Sequence, residues 1–247
     1  LEFHAANLLR CAGVIPGHHL LDVAACPGAV TFIAARSGAQ VTAIDFSPGM
    51  LALLERRRAA LGIASITARV MDGQALEFPD DTFDRAVSNF GLIFFLDRAR
   101  GLREMLRVLK PGGKGAITAW SLPARTRFIS VFSEAARAAI PDMPPPNEKP
   151  AVYSLQDPVQ LKGEMTAAGF ENVKVITVDH TWTSSSPEDH WDRLSQSSPV
   201  FTQAMSRATK DERAALRQKL IDILRSEFGD GPVALGGEAH IGVGAKG

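Results

Sequence analysis

Short apolar runs alternate with amphipathic stretches through the first half of the chain. Leu8 to Ala12 reads as the end of a helix leading into Gly17, and Leu20 to Ala25 as a buried strand. Thr31 to Arg36 starts a helix and Val41 to Ile44 forms the next strand. At Ser47-Pro48 a capping hydroxyl precedes a first-turn proline, and Met50, Leu51, Leu54 and Leu61 then supply one helical face. Ile66 to Met71, Phe83 to Asn89 and Lys114 to Trp120 are three further strands. The amphipathic helix Ala99 to Leu109 ends at Lys110-Pro111-Gly112-Gly113, a strong breaker. This alternation predicts an α/β fold with a doubly wound, mostly parallel sheet.

The second half breaks the rhythm. Ser121 to Pro158 holds a helical piece and then Pro141, Pro144, Pro145, Pro146 and Pro150, the composition of a surface linker or a lid. Gln160 to Ala168 reads as a helix stopped by Gly169, Val173 to Val178 as a strand, and His240 to Ala245 as a short last strand. Asp211 to Phe228 is a helix with Leu216, Leu220, Ile223 and Leu224 on one face. One domain over residues 1–247 is expected, with 121–158 and 184–238 as cap or lid insertions.

Composition narrows the function classes. The chain has 247 residues, 45% apolar and 22% charged, with 27 basic residues against 27 acidic ones and no basic block. The counter-charge that drives nucleic-acid binding therefore has no source, so no nucleic-acid partner is expected. No run approaches the roughly 20 apolar residues of a membrane span, and a cytoplasmic setting is the default. Cys11 and Cys26 stand without a CxxC or a His at metal-ligand spacing, which argues against a disulfide framework and against a metal site. The first residue is Leu1, from which we expect natural N-terminal residues to be missing, among them a segment able to cover the active site.

The candidate chemistry lies after the first strand. Asp22-Val23-Ala24-Ala25-Cys26-Pro27-Gly28 forms a strand end and a tight turn, and Asp45 ends the second strand 23 positions after Asp22. Such a unit opens a crevice at the carboxyl ends of adjacent parallel strands, where a carboxylate can receive ribose hydroxyls. A dinucleotide site wants G-x-G-x-x-G in this turn, whereas here the turn carries Ala24, Cys26 and Gly28. A nicotinamide-dependent oxidoreductase is thereby disfavoured.

These residues resemble the class I S-adenosylmethionine-dependent methyltransferases, in the small-molecule branch similar to the quinone-biosynthesis enzymes. The likeness is carried by the Asp22 to Gly28 motif, by Asp45-Phe46, by Asp72-Gly73-Gln74-Ala75, by Phe78-Pro79-Asp80-Asp81-Thr82-Phe83-Asp84 and by Leu109 to Gly113, in that order. It implies a Rossmann-like sheet of seven strands, the last antiparallel and inserted between the fifth and sixth. It further implies S-adenosylmethionine as cofactor, with Asp22, Ala24, Cys26 and Gly28 around its methionine part. Asp45 would hold the ribose and Phe46 would cover the adenine, Asp72 of the Asp72-Gly73-Gln74 segment would receive the adenine amino group, and Met50 would belong to the same cofactor site. Asn89 and Phe90, after the fourth strand, would meet the methionine moiety.

The motif departs from the family at Cys26, where a glycine is usual because the backbone there approaches the cofactor and glycine adopts positive φ freely. If that position is left-handed, the extra Cβ costs roughly 1–2 kcal/mol, and Cys26→Gly is expected to tighten cofactor binding. Its place before a helix N-terminus also raises the prospect of a reactive thiolate.

Methyl transfer needs a general base only where the acceptor must lose a proton. His18, His19, His180, His190 and His240 are the histidines considered, and none is singled out as a catalytic residue. Phe128, Phe132, Trp182, Trp191 and Phe201 are candidates either for a substrate pocket or for the core of a helical cap. Asn89-Phe90-Gly91-Leu92 is not the Asn/Asp-Pro-Pro-Tyr/Phe of base-nitrogen methylation, and no Pro-Cys follows that strand as in cytosine C5 enzymes. The expectation is methyl transfer to an O, N or C atom of a small organic acceptor. The alternative is a non-catalytic, cofactor-binding interaction or regulatory protein.

Overall fold

The computed structural model describes residues 1–140, 151–197, 205 and 208–247. Its strands are β1 (His19–Val23), β2 (Gln40–Asp45), β3 (Ile66–Val70), β4 (Phe83–Asn89), β5 (Leu109–Trp120), β6 (Glu171–Ser184) and β7 (Val233–Ala245). They join in the order β3-β2-β1-β4-β5-β7-β6. The first five run parallel, and β7 pairs antiparallel with β5, Thr118 facing Ile241. This is the seven-stranded, mostly parallel sheet that the resemblance implies.

The described residues fall into two compact units. The first takes Leu1–Ser121, Ala151–Val178 and Ala239–Gly247. Its helices are α1 (Glu2–Ala12), α2 (Ala29–Arg36), α3 (Pro48–Leu61), α4 (Arg98–Arg107) and α6 (Pro158–Ala167). Leu8 and Ala12 of α1 meet Phe32 of α2 and Leu20, Val41 and Val87 of the sheet in one fully apolar core. Ser47 caps α3 as expected, its Oγ accepting from the Met50 amide, and Asp97 does the same for α4 through the Arg100 amide at 2.8 Å.

The second unit takes Leu122–Pro150 and Asp179–Glu238. It holds α5 (Arg127–Ala139), α7 (Pro187–Ser197) and α8 (Lys210–Phe228). Val131 and Ala135 of α5 pack with Leu216, Leu220 and Leu224 of α8, and a capping box at Thr209 and Glu212 fixes the start of α8. Arg127 pairs with Glu134 and Glu227, tying α5 to α8 at the surface.

Several boundaries differ from the sequence reading. Lys110 to Gly113 ends the helix but does not end regular structure. β5 starts at Leu109 and runs through it, because a register shift opposite Phe83 absorbs the irregular backbone and the Gly112 amide donates to the Lys246 carbonyl at 2.9 Å. β6 and β7 are 14 and 13 residues long, well beyond the short strands expected. In α8 the fully buried face uses Ile221, with Ile223 only partly buried at its edge. No helix among the described residues is long and apolar enough to cross a membrane. The prolines at 141, 144–146 and 150, and Phe201, lie outside the described residues.

Candidate active site

Parallel strands put all their carboxyl ends on one edge, and β1, β2 and β4 turn there side by side. The turn after β1 is tightly wound. Ala24, Cys26 and Gly28 all have positive φ, at 57°, 51° and 92°. Gly28 is needed as such, because a Cβ there would stand 2.7 Å from the Phe32 ring. Winding the chain in this way turns the Cys26 amide toward β2, where it donates to Asp45 Oδ2 at 2.9 Å. The Ser47 amide donates to Asp45 Oδ1, also at 2.9 Å. Asp45 is thus buried with each oxygen anchored once, and each keeps acceptor capacity for one more donor. Two neighbouring hydroxyls are the chemical match to that pair.

Asp22 is a different kind of acid. It is buried inside β1, and the Thr31 hydroxyl donates to its Oδ2 at 2.6 Å. Burial pushes its pKa up to about 7, with the Asp45 charge adding to the rise and the Thr31 bonds opposing it. The folded chain therefore keeps a proton between the ordinary value of 3.8 and about pH 7 that the unfolded chain has released. Stability contributed by this group is full below that window and falls as pH rises through it. Thermal melts of the wild type and Asp22→Asn between those limits are expected to diverge, the wild type losing stability relative to the variant as pH rises. Parallel curves would contradict a buried, protonated Asp22.

Cys26 is held left-handed before any ligand arrives, so its strain is borne by the folded chain itself. The expected effect of Cys26→Gly therefore moves from affinity to stability. Relief of roughly 1–2 kcal/mol is offset in part by the roughly 0.5–1 kcal/mol entropic cost of glycine. The net gain of about 0–1.5 kcal/mol should raise the melting midpoint by up to about 6 °C with little change in cofactor affinity. The surroundings of Cys26 oppose a reactive thiolate. Burial, with the Asp45 and Asp22 charges beside it, pushes the Cys26 thiol up to about 12.

Around Asp45 the surface is open and apolar. Phe46 is 77% exposed, and Val70 lies across from Asp45 in the β2–β3 register. Met50, one turn into α3, is partly buried. Asp72 and Gln74 form an exposed turn in which the Gln74 amide donates to Asp72 Oδ1 at 2.8 Å. Gln74 Oε1 then accepts from the Asp97 amide at 2.7 Å, joining this turn to the start of α4. Gly73 is buried, and a Cβ there would meet the Phe95 ring at 2.5 Å.

At the end of β4, Asn89 Oδ1 is buried with no hydrogen-bond partner among the described residues, an acceptor left unmet at the carboxyl edge of the sheet. Phe90 follows with φ at 62°. Its ring stacks on Trp120 at 3.9 Å, and His4 of α1 sits edge-on to both. Gly91 closes the arrangement, since a Cβ on it would stand 2.3 Å from the Ala24 Cβ.

Asp22, Ala24, Cys26, Gly28, Asp45, Phe46, Met50, Asp72, Gly73, Gln74, Asn89 and Phe90 therefore line up along one edge of the sheet. They fit an adenosine carrying a cationic amino-acid tail. Asp45 offers paired acceptors, Phe46 an exposed flat face, and Asn89 an unsatisfied buried carbonyl. His18 and His19 lie at the opposite end of β1, where the His19 amide bonds Asp84. His240 is engaged with Thr177 Oγ1 at 3.0 Å. In the second unit, His180 stands edge-on to Trp182, and His190 is buried with its Nε2 unpartnered among the described residues. Phe128 stacks on Trp182, while Phe128, Phe132 and Trp191 all pack against the α5–α8 core. Sequence reasoning passed over His4, whose spacing to Leu8 and Ala12 places it on the buried stripe of α1.

A family profile described as a methyltransferase domain matches residues 21–117. The chain is 38% identical over 173 residues to demethylmenaquinone methyltransferase of Corynebacterium urealyticum, covering 66% of this chain and 72% of that one. It is 39% identical over 131 residues to the ubiquinone/menaquinone biosynthesis C-methyltransferase UbiE of Geobacter sulfurreducens, about half of each chain (51% of both). The fold is shared with phosphoethanolamine N-methyltransferase 2 of Haemonchus contortus, solved with S-adenosyl-L-methionine. That likeness has a TM-score of 0.63 at 21% identity and covers 99% of this chain and 52% of the other.

Proposed function

The chain belongs to the S-adenosylmethionine-dependent methyltransferases, and from that premise we propose that its acceptor is a hydroxylated aromatic ring of the quinol class, methylated at carbon. The observation carrying this reading is the 38% identity across 72% of a demethylmenaquinone methyltransferase. The Phe90–Trp120 stack with His4 against it is buried behind the Asn89–Gly91 turn and holds that turn rigid at the acceptor end of the proposed site. In this proposal the whole chain acts as one methyltransferase domain, with 121–158 and 184–238 as its cap.

The cofactor supplies an electrophilic methyl on a sulfonium, already activated for displacement. The residues' task is then to hold and align. Asp45 accepts both ribose hydroxyls. Phe46 and Met50 would hold the adenine, with Asp72, Gly73 and Gln74 at its amino edge. Asn89 would meet the ammonium group, and the wound turn at Ala24, Cys26 and Gly28 would bring the main chain close to the methionine part beside Asp22.

The test is transfer of radiolabelled methyl from S-adenosylmethionine to a reduced naphthoquinol lacking its ring methyl, with a catechol and phosphoethanolamine as comparison acceptors. Carbon methylation of the quinol alone is the expected result. Methylation of catechol oxygen or of the amine instead would overturn the acceptor assignment. Tight cofactor binding with no product from any acceptor would favour the non-catalytic, regulatory alternative.

A further inference from the structure

α1 packs against β4 and β5 and is tied to β4 at its last turn, where the Arg85 guanidinium donates to the Ala12 carbonyl at 2.7 Å. Leu8 and Ala12 sit in the core with Val87 of the same strand. The helix is thereby fixed along β4, and its first turn stands at the sheet's carboxyl edge. His4 occupies that turn. It is fully buried on a helix face whose other buried members, Ala5, Leu8, Leu9 and Ala12, are all apolar.

The His4 ring stands edge-on to two others, with centroids 5.3 Å from Phe90 and 5.1 Å from Trp120. Phe90 and Trp120 are themselves stacked at 3.9 Å with 12° between their planes. One imidazole edge therefore bears on both members of the stack and fixes them as a unit.

Phe90 is a residue that needs such fixing. Its φ of 62° is left-handed, an outlier for a bulky side chain. Backbone of this kind persists only where the surroundings over-determine it. Hydrogen bonds hold the chain on either side, the Phe90 amide donating to the Thr118 carbonyl at 3.2 Å and the Leu92 amide to Ser88 Oγ at 3.1 Å. The side chain is held by Trp120 across its face and by His4 at its flank. Without His4, Phe90 is free to relax toward the negative φ that its Cβ favours. Asn89 immediately precedes it, so the same relaxation would displace the buried Asn89 Oδ1.

We infer that His4 is a positioning residue for the cofactor's amino-acid tail, acting through Phe90 to hold the turn after β4 in the left-handed form that sets Asn89. The assignment rests on the reading given above, in which the methionine part lies at Asn89 and Phe90. The adenosine half of that site, at Asp45, Phe46 and Asp72, is built at the ends of β2 and β3 instead. Loss of His4 therefore acts on one half of the cofactor and spares the other.

Two probes separate this role from general stabilisation: S-adenosylhomocysteine, which carries the tail, and methylthioadenosine, which lacks it. Each is titrated calorimetrically well below the melting midpoint of every variant. His4→Ala and His4→Leu should weaken S-adenosylhomocysteine about tenfold, the left-handed penalty that binding must then supply, and leave methylthioadenosine within about twofold. His4→Phe, which keeps a ring, should stay close to the wild type for both. In a Phe90→Gly background, where glycine takes positive φ freely, His4→Leu should have no further effect. Unchanged affinity for both probes, equal weakening of both, a loss as large in His4→Phe as in His4→Leu, or an undiminished loss in the Phe90→Gly background would overturn the assignment. Asn89→Ala checks the reading beneath it. If that variant weakens the two probes alike, the placement of the tail fails, and the role of His4 fails with it.

Discussion

Replacing Asp45 by alanine is expected to weaken S-adenosylmethionine and S-adenosylhomocysteine binding by more than a hundredfold, read by titration calorimetry. Its two oxygens are held by the Cys26 and Ser47 amides, and each retains capacity for one ribose hydroxyl. Two charge-assisted hydrogen bonds at about 1.5–3 kcal/mol each exceed the roughly 2.8 kcal/mol that corresponds to a hundredfold. Alanine also frees the two amides that fix the turn after β1 and the start of α3, so preorganisation is lost together with the contacts. Asp45→Asn discriminates further. One of its two positions becomes an NH2 group facing a backbone N–H donor, so asparagine should lose nearly as much as alanine. Near-native affinity in Asp45→Asn would mean that the carboxylate is only a strand-end cap.

Gly91→Ala should be the second most damaging change, through packing alone. The added Cβ would stand 2.3 Å from the Ala24 Cβ and 2.9 Å from Ser88 Oγ, which is engaged by the Leu92 amide. Neither neighbour is the end of a flexible chain, so the turns after β1 and β4 must separate. Overpacking of this kind costs about 1–3 kcal/mol, and the melting midpoint should fall by about 2–12 °C. Cofactor affinity should drop more than tenfold, since both turns contribute to the proposed site. Ala24 has positive φ, so Ala24→Gly removes the opposing Cβ at a position glycine tolerates. The double variant should regain most of the affinity. Failure of that rescue would show that Gly91 is required for something other than this approach.

Much of the site was legible because its geometry is local. Asp45 could be named because a strand that ends in a carboxylate, one βαβ step after a tight turn, must present it at the sheet's carboxyl edge. The Asp72-Gly73-Gln74 turn was readable for the same reason, since its main hydrogen bond spans two residues. His4 was missed because its significance depends on Phe90 and Trp120, which lie far along the chain and meet α1 only across the folded sheet. The full lengths of β5, β6 and β7 were missed likewise. Glycines and prolines that read locally as breakers are tolerated where a register shift and a neighbouring strand supply the missing partners.

The sequence by itself determined the alternation of strands and helices, the order of the motifs and the edge of the sheet at which the acids gather. These follow from side-chain periodicity and from the fixed direction of parallel strands. Only the tertiary structure decided the chemical state of the groups. It buried Asp22, raising its pKa against the opposing Thr31 bonds, raised that of the Cys26 thiol by burial and by the neighbouring Asp45 and Asp22, and left Asn89 Oδ1 buried with no partner among the described residues. Proton affinity and hydrogen-bond satisfaction depend on water exclusion and on charges brought together from distant positions, and those quantities exist only once the chain has packed.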